Sequence, residues 1–251
     1  WDSISAFIKI GAIEDDKFAE LVNNSIIFED DGFIIINKPS GIAVHGGSGL
    51  SFGVIEAMRS DRPQSKYLEL VHRLDRETSG CLMLAKSRSV LIEIQQAMQR
   101  NSVEKSYFAL VKGQWPKGKS TINAPLKKNQ LSSGERMVRV DVEGKASVTH
   151  FSVAKLYKQA SLLDIRLETG RTHQIRVHLK YAGYPIAGDQ SYCSIKKWKD
   201  SSEMEEQAVN GLRRQALHAH SLSFEWEGKE ISFKSDLPID FVTCINNLQK
   251  L

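Results

Sequence analysis

The chain has 251 residues, with 34 lysines and arginines against 30 aspartates and glutamates, a formal net charge of +4, and 41% hydrophobic residues. That is enough apolar material for one large domain or two packed lobes, and the small basic excess permits a polyanionic partner without establishing one. Apolar runs such as Phe33 to Ile36 are far shorter than the roughly 20 residues of a membrane helix, and Cys81, Cys193 and Cys244 lack the spacing of a zinc site. A reduced, cytoplasmic protein without a membrane segment is the expectation.

In chain order, the first two dozen residues read as a helical leader ending near Asn23, so that a leader or linker remnant over 1-24 is expected before a domain over 25-251. Ile26 to Phe28 and Phe33 to Ile36, separated by Asp30, Asp31 and Gly32, predict a hairpin of buried strands. A long loop through Asn37 to Gly41 and the glycines at 46, 47 and 49 precedes a short helix from Phe52 to Arg59, which Pro63 ends. Cys81 to Ala85 predicts a strand, and Ser87 caps a helix whose apolar face is Val90, Leu91, Ile94, Ala97 and Met98.

Further strands are expected at Tyr107 to Val111, Val148 to Val153 and Leu162 to Leu167. Thr172 is the expected cap of a helix stopped by Gly183 and Pro185, and Asp189 to Gln215 reads as a surface insertion. Leu217 to Trp226 and Ile231 to Lys234 pair across Glu227 to Lys229, and Pro238 opens a last helix packing Phe241, Ile245 and Leu248. The elements add up to a mixed α/β (α+β) fold with a mainly antiparallel central sheet flanked by helices.

The densest cluster of polar residues is His72-Arg73-Leu74-Asp75-Arg76-Glu77-Thr78-Ser79-Gly80, directly before an apolar strand. Loops clamped to rigid elements carry catalytic groups, although an aspartate between arginines, taken alone, is far more often an ordinary turn residue. A kinase catalytic loop is excluded because Leu74 interrupts the His-Arg-Asp order and no asparagine stands five residues after Asp75. Gly46-Gly47-Ser48-Gly49 lacks the Gly-Lys-Ser/Thr of a phosphate loop, and His218 and His220 lack further ligands at metal spacing, so no metal is expected. Asp75 with Glu77 keeps a nucleoside or glycan hydrolase open, and a different class, an inactive RNA-binding platform, stays open as well.

The run His72-Arg73-Leu74-Asp75 with Thr78-Ser79-Gly80 resembles the hallmark of the pseudouridine synthases of the large-subunit rRNA and tRNA group. Four more segments follow that family's order: Asn37 to Gly41, Lys105-Ser106-Tyr107, Gly170 to Arg176, and Leu217-His218-Ala219. Ala43 to Leu50 and Ser133 to Arg136 resemble its C-type branch.

The resemblance implies a fold of two packed lobes around an active-site cleft, and a monomeric enzyme that isomerises uridine in RNA, ribosomal RNA first and tRNA as a second candidate. No cofactor is implied, since the isomerisation neither loses a group nor changes oxidation state. It makes Asp75 the essential carboxylate, whether it attacks the base, attacks the ribose or takes a ribose proton. Arg171 is the cation beside it and Tyr107 the ring stacked on the uracil. In its substrate-binding set are Arg73, which fills the gap left by the extruded base, His72, Leu217 as an apolar wall, Arg176 and Lys38. A tyrosine or leucine in a strand otherwise needs only packing to account for it. Lys127, Lys128, Arg136, Arg139, Arg176 and Lys180 are candidates for contact with phosphates.

Overall fold

Helix α1 (Asp15–Asn23) leads into an antiparallel pair, β1 (Ile26–Glu29) and β2 (Phe33–Lys38). Asp30 closes the turn between them, its Oδ1 accepting from the backbone N–H of Gly32 and of Phe33, both at 2.8 Å. The computed structural model describes residues 15–46, 53–130, 136–193, 209 and 212–251. The start of the expected leader, the glycines at 47 and 49, Phe52 and the segment 133–135 lie outside them.

The chain continues through α2 (Val54–Asp61), β3 (Glu69–Leu70), β4 (Ser79–Ala85) and α3 (Arg88–Gln99). β4 is buried along its whole length and pairs antiparallel with β2, from Phe33 opposite Ala85 to Lys38 opposite Gly80. Ser87 caps α3 by accepting from Val90 N–H at 3.3 Å. Ile94 sits in the core, with Val90, Leu91, Ala97 and Met98 packed against it, which is the apolar face that helical spacing predicts.

After α3 come β5 (Val103–Lys112), β6 (Thr121–Asn123), β7 (Leu126–Gln130), β8 (Arg136–Val140), β9 (Val148–Leu156), β10 (Ala160–Leu167), α4 (Gln174–Tyr181), β11 (Leu217–Trp226), β12 (Lys229–Lys234) and α5 (Ile239–Gln249). Contacts divide the chain into two units, Trp1–Val103 with Ser221–Asp236, and Glu104–His220 with Leu237–Leu251. In the first, the outer half of β11 pairs with β12 across a turn in which Glu227 and Gly228 have φ of 51° and 73°. Its core is closed by rings: Phe33 lies 5.6 Å from Phe224, 5.4 Å from Trp226 and 5.8 Å from Phe233 between centroids.

In the second unit β10 pairs antiparallel with both β5 and β9, β6 adds to the start of β9, and β7 and β8 form a separate hairpin. The mixed α/β, mainly antiparallel architecture expected from the sequence is therefore what the chain adopts. β3, β6, β7 and β8 go beyond that expectation. The ends of the stretch read as a surface insertion are core instead, with Asp189, Tyr192, Cys193, Leu212, Arg214 and Gln215 all buried; most of its middle lies outside the described residues. Among the described residues no helix is long and apolar enough to cross a membrane.

Candidate active site

In the first unit, the loop from His72 to Thr78 connects β3 to β4. His72 accepts the backbone N–H of Met83 through Nε2 at 3.2 Å, which ties the start of the loop to the strand it precedes. Leu74 is buried. Thr78 N–H donates to the Asp75 carbonyl at 3.0 Å, so Asp75 opens a four-residue turn, with its side chain half-buried and Arg73 exposed beside it.

A second loop grips that turn. Gly41 N–H donates to the Arg76 carbonyl at 2.9 Å and Arg76 Nε donates back to the Gly41 carbonyl at 2.8 Å. Ser40 donates to the Glu77 carbonyl at 2.7 Å. Lys38 is fully buried, and its ammonium donates to the carbonyls of Pro39, Ile42 and Arg76 at 2.8, 2.9 and 3.0 Å. Those bonds fasten the two loops together, which gives Lys38 a positioning task in place of the substrate contact expected of it. The pattern Asn-Lys-Pro-Ser-Gly marks the loop in the sequence, but nothing in it says where the ammonium goes.

In the second unit, Tyr107 is buried on β5 opposite Ile165, and Leu217 is buried at the first position of β11. Arg171 is exposed just ahead of α4, its Nε donating to the Ala146 carbonyl at 3.2 Å. The helix starts later than expected: His173, not Thr172, is its N-cap, in the left-handed region at φ 54°, with no side-chain cap of its own. Gln174 takes over that work. Its Oε1 accepts from Arg171 N–H at 3.0 Å and from the Thr169 hydroxyl at 2.8 Å, and its Nε2 donates to the Val148 carbonyl and Thr149 Oγ1, both at 2.9 Å.

Arg176 does not reach solvent as a phosphate contact would require. It is buried, bound to Asp189 through Nε at 2.7 Å and Nη2 at 3.0 Å, and stacked over Tyr192 at 4.9 Å. Lys127 is paired with Glu143 and Arg139 with Asp141, whereas Lys128 and Lys180 are exposed. The side chain of Arg136 lies outside the description.

Lys105, two residues before Tyr107, is half-buried, and burial pulls the pKa of its ammonium down. His218 and His220 are in the second unit with ring centroids 6.3 Å apart. Among the described residues no three His, Cys, Asp or Glu side chains gather as metal ligands.

The family described as RNA pseudouridylate synthase matches residues 32–181 of this chain. The chain belongs to that family and is an RNA uridine isomerase. It is 49% identical over 237 residues to the ribosomal large subunit pseudouridine synthase C of Haemophilus influenzae, covering 94% of this chain and 71% of that protein. The protein of the same name from Escherichia coli K12 is 49% identical over 226 residues, covering 89% and 70%. The resemblance to the C-type branch thus holds along most of the chain.

Among solved structures, human RNA pseudouridylate synthase domain containing 4 superimposes with a TM-score of 0.77 at 23% identity, covering 94% of this chain and 97% of that one. Human RNA pseudouridylate synthase domain containing 1 gives a TM-score of 0.67 at 24% identity, covering 85% and 83%. These two share the fold.

Proposed function

We propose that this chain converts particular uridines of large-subunit ribosomal RNA to pseudouridine, in the cytoplasm, with residues 25–251 forming the catalytic domain. The observation that carries the substrate is the identity of about half of all residues, over nearly the whole chain, to proteins named for the large ribosomal subunit. Isomerisation breaks the bond between ribose and base, turns the detached uracil, joins it through ring carbon 5 and removes the proton there.

Asp75 supplies the carboxylate for the first step. Its place at the head of a turn held by Lys38, Ser40 and Gly41 gives it a fixed aim without immobilising the exposed Arg73 next to it. Arg73 fills the gap in the RNA stack that the extruded base leaves. Tyr107 stacks on the uracil, Leu217 walls it, and Arg171 supplies the cation of the active site. His72 serves by pinning the loop to β4.

Mapping pseudouridines by mass in ribosomal RNA and tRNA, from cells with and without this gene, tests the substrate. Sites lost from large-subunit RNA and restored by the gene are expected. Loss confined to tRNA would reject the reading.

A further inference from the structure

On one face of β5 the residues are answered within the protein. Glu104 pairs with Arg166 at 2.7 Å, Ser106 donates to Asp164 at 2.8 Å, and Phe108 stacks on His220 at 4.6 Å. Strand alternation turns Lys105 and Tyr107 to the opposite face. There the Lys105 amine has neither a hydrogen bond nor an ion pair among the described residues.

Its Nζ lies 3.7 Å from where a Cβ on Gly170 would stand, so the amine ends against the backbone just ahead of Arg171. Gly170 has no side chain to cover it. A cation drawn out of water without a counter-charge is costly, and such groups gather where a ligand supplies the missing charge. Burial has already lowered the pKa of this ammonium, so an incoming anion would hold the proton on it. The substrate is RNA, whose uracil is neutral and whose anions are its phosphodiesters.

We propose that Lys105 binds a phosphodiester of the substrate beside the isomerised uridine, an assignment that rests on Tyr107 and Arg171 being active-site residues. The amine then does two things for the reaction. It fixes the backbone of the extruded nucleotide, and it does so from the strand that carries Tyr107, which sets the height of the base against the ring.

The test is binding of a stem-loop transcribed from large-subunit ribosomal RNA around a mapped target uridine, measured in the Asp75→Asn background so that the RNA is not consumed. Single phosphodiesters flanking the target are replaced by neutral methylphosphonates. One such replacement is expected to weaken the parent about tenfold, Lys105→Met to weaken binding to the unaltered RNA by a similar factor, and the two together to cost no more than either alone. Lys105→Met should also lower the slope of log affinity against log salt by about one, while Lys105→Arg keeps both affinity and slope.

If Lys105→Met binds as the parent does, or loses affinity with the salt slope intact, or if its loss multiplies with that of every methylphosphonate, Lys105 holds no phosphate. Asp75→Asn separates this from a failure of the active-site reading. Turnover by that variant overturns the reading and this proposal with it, whereas an inert Asp75→Asn beside a silent Lys105→Met overturns the proposal alone.

Discussion

A carboxylate that heads a turn is positioned by the backbone behind it, so Asp75 can be altered without moving its loop. Asp75→Asn keeps the size and removes the charge, and we expect turnover to vanish while RNA affinity stays within a few-fold of the parent. Product from the purified variant, with contaminating enzyme excluded, would refute the role. Arg73 and Arg171 separate by substrate. Single-turnover rates on folded and unstructured RNA carrying the same uridine should show Arg73→Ala slowing the folded substrate more, because its base must be unstacked, and Arg171→Ala slowing both alike. An Arg171→Lys variant equal to the parent would sink the second assignment, since an ammonium cannot reproduce the guanidinium fork. The identities of these residues were legible as ordered strings of sequence. The targets of Lys38 and Arg176 were not, because they are set by chain segments that only the fold brings near: the Arg76 carbonyl for one and Asp189 for the other.

Elements were legible where burial imposes a period. The five apolar positions of α3 and the uninterrupted run of β4 follow directly from spacing. The β7–β8 hairpin escaped because Lys-Lys-Asn-Gln and Arg-Met-Val-Arg-Val show little alternation, and among its described side chains only Leu126 and Val138 are buried. What holds it down lies elsewhere in the chain. The Tyr192 hydroxyl accepts from Val138 N–H at 3.0 Å and bonds His173 Nδ1 at 2.9 Å, joining the hairpin to the start of α4. Tyr192→Phe leaves the Val138 N–H buried without that acceptor, at a cost of about 1–3 kcal/mol. Urea unfolding should show the loss, and faster exchange of the Val138 amide hydrogen should place it. A variant as stable as the parent, with that amide still protected, would mean that the hydroxyl is dispensable.

At the scale of the whole molecule, His178 is a group that links stability to mildly acid pH. It is fully buried, with Nδ1 2.8 Å from Thr149 Oγ1 and Nε2 2.9 Å from the Ala124 carbonyl. Burial lowers its pKa, and the bond to Ala124 only partly opposes this. Because the folded pKa lies below the unfolded one, both states are neutral at pH 7.5. Below about 6.5 the unfolded chain takes up a proton that the folded one refuses, so the contribution is present above that pH and is lost as pH falls toward the folded value. Denaturant unfolding at pH 7.5 and 5.5 should show a smaller decline for His178→Gln than for the parent. Equal declines would assign the acid sensitivity to other groups.

The division of β11 between the two units has a consequence for synthesis. Residues up to Val103 leave the ribosome before the strands that close their core, through Phe224, Trp226 and Phe233, which are translated only after Glu104–His220 has been made. At a synthesis rate of about 5–20 residues per second that delay is on the order of ten seconds. Throughout it, Phe33 lacks the three rings that close over it, so a nascent chain stalled before Ser221 is a natural client for chaperones that recognise exposed aromatic surface.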